Sequence, residues 1–463
     1  MTRQTAIANA ETYFDSGAFK TDLTRRVAIP TESQNPERAA ELERYIKAEM
    51  QPALEALGFK TRILTHEKAG APFLYAERIE GASLPTVLGY GHGDVIRGLE
   101  SGWKEGLSPW TLTEVDGRYY GRGVVDNKGQ HTIDIAAQAA VIAARGKLGF
   151  NAKWLIEMGE ETGSRGLREL CAEQGDLLKA DVLIGSDGPR LAIDRPTIFL
   201  GSRGAFPIDI WIDAREGGHH SGNWGGLLSN PAIQLTHALA SIVGPTGQIR
   251  IPEWVPQEIP ESVRRALADC EVVSRPGDPE IDFAWGEPGL TRAEQVYGWC
   301  SFEILAITAG NPENPVNAVP PRAWARGQLR FVVGIDPASV IPALRRHLDR
   351  HGFSYVQVAK GRDEIFAATR LDPEHPWVQW AATAMRRTTN EKLAVLPNLG
   401  GSLPNDIFSE VLNLPTVWVP HSYPGCSQHA PNEHLPLSVA REGLRLMAGL
   451  YWDMGEPGTP AHA

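Results

Sequence analysis

Two glutamates stand side by side in MGEETGS (158–164), after an apolar run and before a Gly-Ser turn. Adjacent carboxylates repel, so a chain that keeps Glu160 beside Glu161 has a use for the charge. Related residues recur in GHGDV (91–95), with His92 and Asp94, and in GRGVVDNKG (121–129), with Asp126. Asp187 sits in GSDGP (185–189) and His429 in QHAPNE (428–433). Two imidazoles and three carboxylates with no thiolate make a borderline to hard ligand set, suited to zinc, cobalt or manganese. One tetrahedral zinc takes at most four protein ligands, so five point to two ions sharing a carboxylate, a hydrolytic arrangement. Neighbouring side chains in a strand face opposite ways, but a turn directly after the strand can bring both to one edge. Glu161 then neutralises metal charge, and Glu160 stays unligated as the base for a metal-activated water.

The elements that must position these residues show in the periodicity. FKTRILTH (59–66), FLYAERI (73–79), the run at 85–90, NAKWLIEM (151–158), the segment 181–185 and LPTVWVP (414–420) read as strands. Residues 36–58, 129–146 and 375–389 read as helices, the first ending at Gly58. Strands separated by helices give an α/β fold with a mostly parallel, doubly wound sheet. Ligands bind at the carboxyl ends of such strands. Four strand ends deliver His92 and Asp94, the glutamate pair, Asp187 and His429 to that edge, and the Asp126 junction adds a fifth site.

Near residue 203 the texture changes. AFPIDIWIDA (205–214) alternates as a half-buried strand would, and the Gly-rich EGGHHSGNWGG (216–226) follows. A helix at 230–243, strands at 300–310 and 322–333 and a helix at 337–352 suggest a smaller α/β domain. The expected division is a catalytic domain of residues 1–202 and 371–463 with an insert of residues 203–370. The stretch 244–298 reads as irregular, Pro-rich and acidic.

A chain of 463 residues exceeds one core of ordinary size, which agrees with two domains. Its net charge of −11 argues against nucleic acid and anionic membrane as partners. Residues 1–17 lack a long apolar segment, so no signal peptide is expected, and no apolar run is long enough to span a membrane. Cys171, Cys270, Cys300 and Cys426 form no C-x-x-C pair, and the expectation is reduced thiols in a cytoplasm. A serine hydrolase would need a G-x-S-x-G elbow, and GCSQH (425–429) is not one.

Taken in order, GHGDV, GRGVVDNKG, MGEETGS, GSDGP, HHSG (219–222), GGSLP (400–404) and QHAPNE resemble the M20 family of metallopeptidases and deacylases. The resemblance runs from about residue 90 to 435 and is most specific in the H-x-D, E-E-x-G-S and H-A-P-N-E motifs. It implies a two-zinc site of His92, Asp126, Glu161, Asp187 and His429. Asp126 would bridge, with His92 and Asp187 on one ion and Glu161 and His429 on the other. It implies that Asp94 orients His92, that Glu160 is the general base, and that the Asp126–Asn127 peptide is cis. The insert resembles a lid or dimerisation domain, and the family resemblance implies a homodimer. In it, His220 would stabilise the transition state, reaching across the dimer. Arg330, with Gly401 and Ser402, would bind a substrate carboxylate, and Asn317 in NAVP would lie near substrate. Within the family pattern, aspartate in GSDGP accompanies dipeptidases and aminopeptidases, so a dipeptide substrate is expected. The alternative is an N-acyl-amino-acid deacylase, as in acetylornithine deacetylase or succinyl-diaminopimelate desuccinylase. An inactive binding homologue is disfavoured because no ligand position is lost.

Overall fold

The computed structural model describes residues 2–274, 279–362 and 364–462. In chain order the strands of the two larger sheets are β1 (Lys60–Leu64), β2 (Phe73–Arg78), β3 (Thr86–His92), β4 (Asn151–Glu157), β5 (Val182–Gly185), β6 (Thr197–Phe199), β7 (Gly204–Asp213), β8 (Ser301–Ala309), β9 (Arg322–Phe331), β10 (Gln357–Lys360), β11 (Ala394–Leu396) and β12 (Thr416–Trp418). The longer helices are α1 (Arg3–Asp15), α2 (Lys128–Arg145), α3 (Pro231–Ile242), α4 (Pro337–Arg350), α5 (Pro376–Arg386) and α6 (Leu437–Met454).

The large sheet has the order β1-β2-β4-β3-β5-β12-β6-β11. Its centre is parallel: β3 pairs with β4 and β5, β12 with β5, and β11 with β6. The β1–β2, β2–β4 and β12–β6 pairings are antiparallel. Successive residues of these strands enter different cores, as a two-residue repeat requires. Val87, Ala152, Trp154, Val182 and Ile184 join the core under α1, α2, α5 and α6. Leu88, Leu155 and Leu183 join the core on the opposite face. Both faces are therefore dry, which explains why these strands read as apolar runs.

The second sheet is antiparallel, in the order β8-β9-β7-β10. Its apolar face packs against α3 and α4 in a separate core of Phe206, Ile208, Ile210, Leu235, Leu239, Val340 and Leu344. Within the expected insert, 244–298 holds more order than its composition suggests. Helices form at Glu261–Leu267 and Arg292–Tyr297, the latter started by a capping box at Thr291. Ile259, Val263, Leu267 and Ala293 pack with Leu396, Leu399, Leu403 and Phe408 under the large sheet, not with α3 and α4. This part of the stretch therefore braces the loop that carries Gly401 and Ser402. Residues 275–278 lie outside the described residues.

The helix expected over 36–58 is present but uneven. A 3-10 turn (Pro36–Arg38) leads into α-helix (Ala39–Tyr45), a π-turn (Ile46–Met50) and α-helix again (Gln51–Ala56). Pro52 has no N–H to give Ala48, and the wider turn ahead of it makes room for the ring. No helix among the described residues is long and apolar enough to cross a membrane.

Candidate metal centre

His92 ends β3 and is fully buried. Its Nδ1 lies 3.0 Å from the main-chain oxygen of Asp94. A carbonyl only accepts, so Nδ1 carries a hydrogen and Nε2 is the nitrogen turned toward the carboxylates. That Nε2 lies 3.0 Å from Asp126 Oδ1 and 3.6 Å from Asp187 Oδ2. Helix α2 can pack close to the strand end because residue 91 is glycine: a Cβ there would lie 2.8 Å from His131 Cβ.

Glu160 and Glu161 begin a short 3-10 turn, Glu160–Thr162, closed at Gly163 with φ of 87°. Glycine meets that left-handed geometry without strain. The fully buried Asp94 holds the turn: its two carboxylate oxygens accept the N–H groups of Glu160 and Glu161 at 3.2 and 3.1 Å. Asp94 thus fixes His92 through its own backbone and both glutamates through its side chain.

His429 follows β12 in a loop with three non-glycine residues at positive φ: Ser427, His429 and Asn432. Such backbone needs support, and two side chains supply it. Asn432 Oδ1 accepts from Lys104 N at 2.8 Å. Buried Glu433 accepts from Arg122 Nη1 at 2.8 Å, from Gly123 N and Val125 N at 3.0 Å, and from Asp126 N at 3.3 Å. His429 Nε2 then lies 3.0 Å from both Asp126 Oδ2 and Glu161 Oε2. The Asp126–Asn127 peptide is cis.

The five expected ligand residues fall into two groups, His92–Asp126–Asp187 and Asp126–Glu161–His429, with donor atoms in each group within 4.8 Å of one another. Asp126 belongs to both. Among the described residues no lysine or arginine pairs with Asp126, Glu160, Glu161 or Asp187, so the carboxylates repel one another. Burial pushes Glu161 and Asp187 up to about 7 and about 6, and the charge of Asp126 adds to both. Burial also holds Glu160 well above the usual carboxylate range, with Glu161, Asp187 and Asp126 adding to it against His92. Burial would raise Asp126 too, but the His429 and His92 rings hold it well below that range. Asp126 and Glu161 in turn raise His429 to about 11. Asp187 Oδ2 is buried without a hydrogen-bond partner. Divalent cations fit this donor set: they supply the missing positive charge and a partner for that oxygen.

Arg330 Nη1 donates to Ser402 Oγ at 2.7 Å, so the structure joins the strand arginine to the glycine loop. Ser402 Oγ also donates to Arg203 O at 2.7 Å, and Arg203 Nε donates to Gly400 O at 2.8 Å. Burial lowers Arg203 to about 10, and the charge of Arg330 adds to the shift. Among the described residues neither guanidinium forms an ion pair. His220 and Asn317 are exposed and lie together on a two-residue pairing of His219–His220 with Ala318–Val319. Ser221 N donates to Asn317 O at 2.9 Å. Among the described residues no hydrogen bond or ion pair links either of them to the carboxylate cluster.

Sequence reading missed Glu433 and Arg203. Glu433 stood inside the QHAPNE motif, and a buried acid directly behind a ligand histidine was the available signal. Nothing local marked Arg203, whose partner Gly400 is far along the chain.

The sequence profile of peptidase family M20/M25/M40 matches residues 88–453. The chain is 27% identical over 401 residues to the Beta-Ala-His dipeptidase of Mus musculus, covering 83% of this chain and 80% of that protein. It is 35% identical over 392 residues to the Cys-Gly metallodipeptidase DUG1 of Candida albicans, covering 79% and 77%. The crystal structure of human carnosine dipeptidase 1 superposes with a TM-score of 0.77 at 25% identity, covering 97% of this chain and 99% of that one. The dipeptidase Dug1p of Saccharomyces cerevisiae shares the fold with a TM-score of 0.80 at 22% identity, covering 99% and 100%.

The raised carboxylates set the pH response of the metal-free protein. In the unfolded chain they ionise near pH 4, whereas Glu161 and Asp187 ionise near 7 and 6 when folded. The folded state binds more protons in that window, so the stability these two groups contribute is fully present below about pH 4 and is lost as pH rises through about 7. His429, raised to about 11, acts in the same direction above about pH 6.5. Metal-free protein should therefore unfold at a lower temperature at pH 7.5 than at pH 5. Added divalent metal should raise the midpoint more at pH 7.5. Calorimetry of the stripped and reloaded protein at both pH values decides it. A metal-free protein more stable at pH 7.5, with no gain from metal, would refute this account.

Proposed function

The chain belongs to peptidase family M20/M25/M40, and from that premise we propose that this metal-dependent peptidase is a two-zinc dipeptidase acting on unblocked dipeptides. Cobalt and manganese are the alternative ions. The observation that carries the reading is the pair of donor groups sharing Asp126, with Glu160 beside them in neither group. In this reading His92, Asp126 and Asp187 would hold one ion, and Asp126, Glu161 and His429 the other. When bound, the ions polarise the scissile carbonyl and make water a better nucleophile near neutral pH. Glu160 takes a proton from the attacking water as its oxygen bonds the carbonyl carbon. It returns the proton to the nitrogen as the C–N bond breaks, giving two amino acids, one with the new carboxyl group and the other with the freed amine. Asp94 sets the angle of the Glu160 turn and the tautomer of His92. The catalytic part is proposed as residues 1–202 and 371–463, with residues 203–370 as the lid.

Arg330, Gly401 and Ser402 are proposed to hold the substrate's α-carboxylate. Arg203 supports them by holding Gly400 and adding positive charge. A cationic seat at one end and an acidic metal centre at the other suit a short zwitterion. The relatives named as dipeptidases support the same choice over a deacylase. His220 and Asn317 are proposed to act on the substrate of a partner subunit in a homodimer, which fits their exposed position outside their own chain's cluster. The edge strand β8, with Leu305 and Ile307 more than half exposed, is a suitable dimer seam. A cytoplasmic location is also proposed, since all four cysteines are free and buried. Recovery of the tagged protein only outside the cell would overturn that point.

Three experiments test the reading. In a panel at equal concentration, free dipeptides should turn over faster than acetyl- and succinyl-amino acids. The reverse order would move the protein to the deacylase branch. Glu160→Gln should lose roughly 10²–10⁴-fold in kcat while keeping both metals. A drop in bound metal would instead make Glu160 a ligand. Mixing inactive Glu160→Gln subunits with inactive His220→Ala subunits should restore activity after subunit exchange. Proven exchange without recovery would show that each site is complete within one chain.

A further inference from the structure

The group His92–Asp126–Asp187 is assembled from three separate segments, and the sheet does not fix its spacing. β3 pairs with β5 only at Val87–Val182 and Leu88–Leu183, well before His92 and Asp187. Asp126 lies in a junction outside every strand. Side chains must therefore hold these segments at an ion's distance.

Helix α2 supplies them from one face. Asn127 Nδ2 donates to Ser186 O at 2.7 Å, and Asp134 Oδ1 accepts from Ser186 Oγ at 3.0 Å. Between them stands Gln130, fully buried. Its Nε2 donates to Val125 O at 2.7 Å and to Gly188 O at 3.3 Å. Its Oε1 accepts from His421 N at 2.7 Å. Both hydrogens and the carbonyl of this amide are thus in use. Val125 immediately precedes Asp126, and Gly188 immediately follows Asp187. Gly188 N in turn donates to Asp187 Oδ1 at 2.6 Å. One side chain therefore bonds the backbone beside both carboxylates. Neither Asn127 nor Asp134 has hydrogen bonds to both flanking carbonyls.

We infer that Gln130 is a positioning residue that clamps Val125 to Gly188 and so sets the separation of Asp126 and Asp187 in the ion-binding group with His92. The inference rests on the two-metal reading above. An amide suits this task because it presents two hydrogens to two carbonyls at once. An apolar side chain of the same length would fill the space but leave the Val125 carbonyl and the His421 N–H without this partner, and Gly188 O with the Ser422 hydroxyl at 2.9 Å but no tie to Val125. Glutamate would set oxygens against the same carbonyls.

The test uses the full chain, stripped of metal and titrated with Co²⁺. Gln130→Met keeps the volume and removes the clamp. Gln138→Met is the control: Gln138 is a buried amide on the same helix, bonded to Trp154 Nε1. Gln130→Met should weaken one of two cobalt sites by roughly 10–100-fold. It should also change that site's visible d–d absorption and lower kcat more than it raises KM. Gln138→Met should leave cobalt affinity and spectrum at wild-type values. If Gln130→Met does not fold, Gln130→Glu, of the same shape, takes its place with the same expectation. A folded variant that binds two cobalt ions with wild-type affinity and spectrum overturns the clamp. Equal weakening in Gln138→Met overturns it as well, since the effect would then be general destabilisation. A wild-type chain that takes up no cobalt overturns the metal-centre reading itself.

Discussion

The constraint on which this structure depends is the confinement of several carboxylates in one small space with, among the described residues, no lysine or arginine to pair with them. Asp126, Glu160, Glu161 and Asp187 cluster at the carboxyl edge of the large sheet. Burial and mutual repulsion push all but Asp126 upward in pKa. Such a cluster does not assemble on its own contacts, since its members disfavour one another. It is imposed from behind. Asp94 fixes the glutamate turn and Glu433 the junction before Asp126, while Gln130 ties that junction to the Asp187 turn. Each support bonds to backbone, so it places the ligand without competing for its carboxylate.

That division explains what could be read in the sequence. Strands ended where their apolar runs ended, and the first polar residues beyond them were the ones gathered at the edge. His92, Asp187 and the glutamate pair were legible because a strand end and a chemical residue type coincide there. Of the supports, Asp94 was legible in the H-x-D motif, and Glu433 and Gln130 were not. Gln130 reads as one more polar residue in a helix, and its partners Val125, Gly188 and His421 come from three segments. Arg203 meets Gly400 across 197 residues of chain. Such bonds follow from topology, which periodicity does not give.

The fold expectation was uneven for the same reason. The two sheets were visible because alternation and apolar runs are local signals. The stretch 244–298 hid its helices because proline and acidic residues dominate its composition. Its apolar residues are sparse, and Ile259, Val263 and Leu267 are spaced to cover a neighbour instead of forming a core. The helix over 36–58 kept its length, and Pro52 accounts for its π-turn.

The charge layout gives the proposed substrate its direction. Arg203 and Arg330, whose guanidiniums form no ion pair among the described residues, meet at Ser402, whose hydroxyl bonds to one side chain and to the other's backbone. Two neighbouring cations without a counter-ion carry a repulsive cost, just as the carboxylates do at the metal centre. The molecule thus holds two unneutralised fields of opposite sign, and each is relieved by a different partner. In the proposed reading metal ions would relieve the acidic field, and a substrate carboxylate the basic one. A dipeptide would bind with its carboxylate at the arginines and its amide bond toward the ions. Reversed, it would place its anion against Glu160 and Asp187 and leave the arginines unpaired.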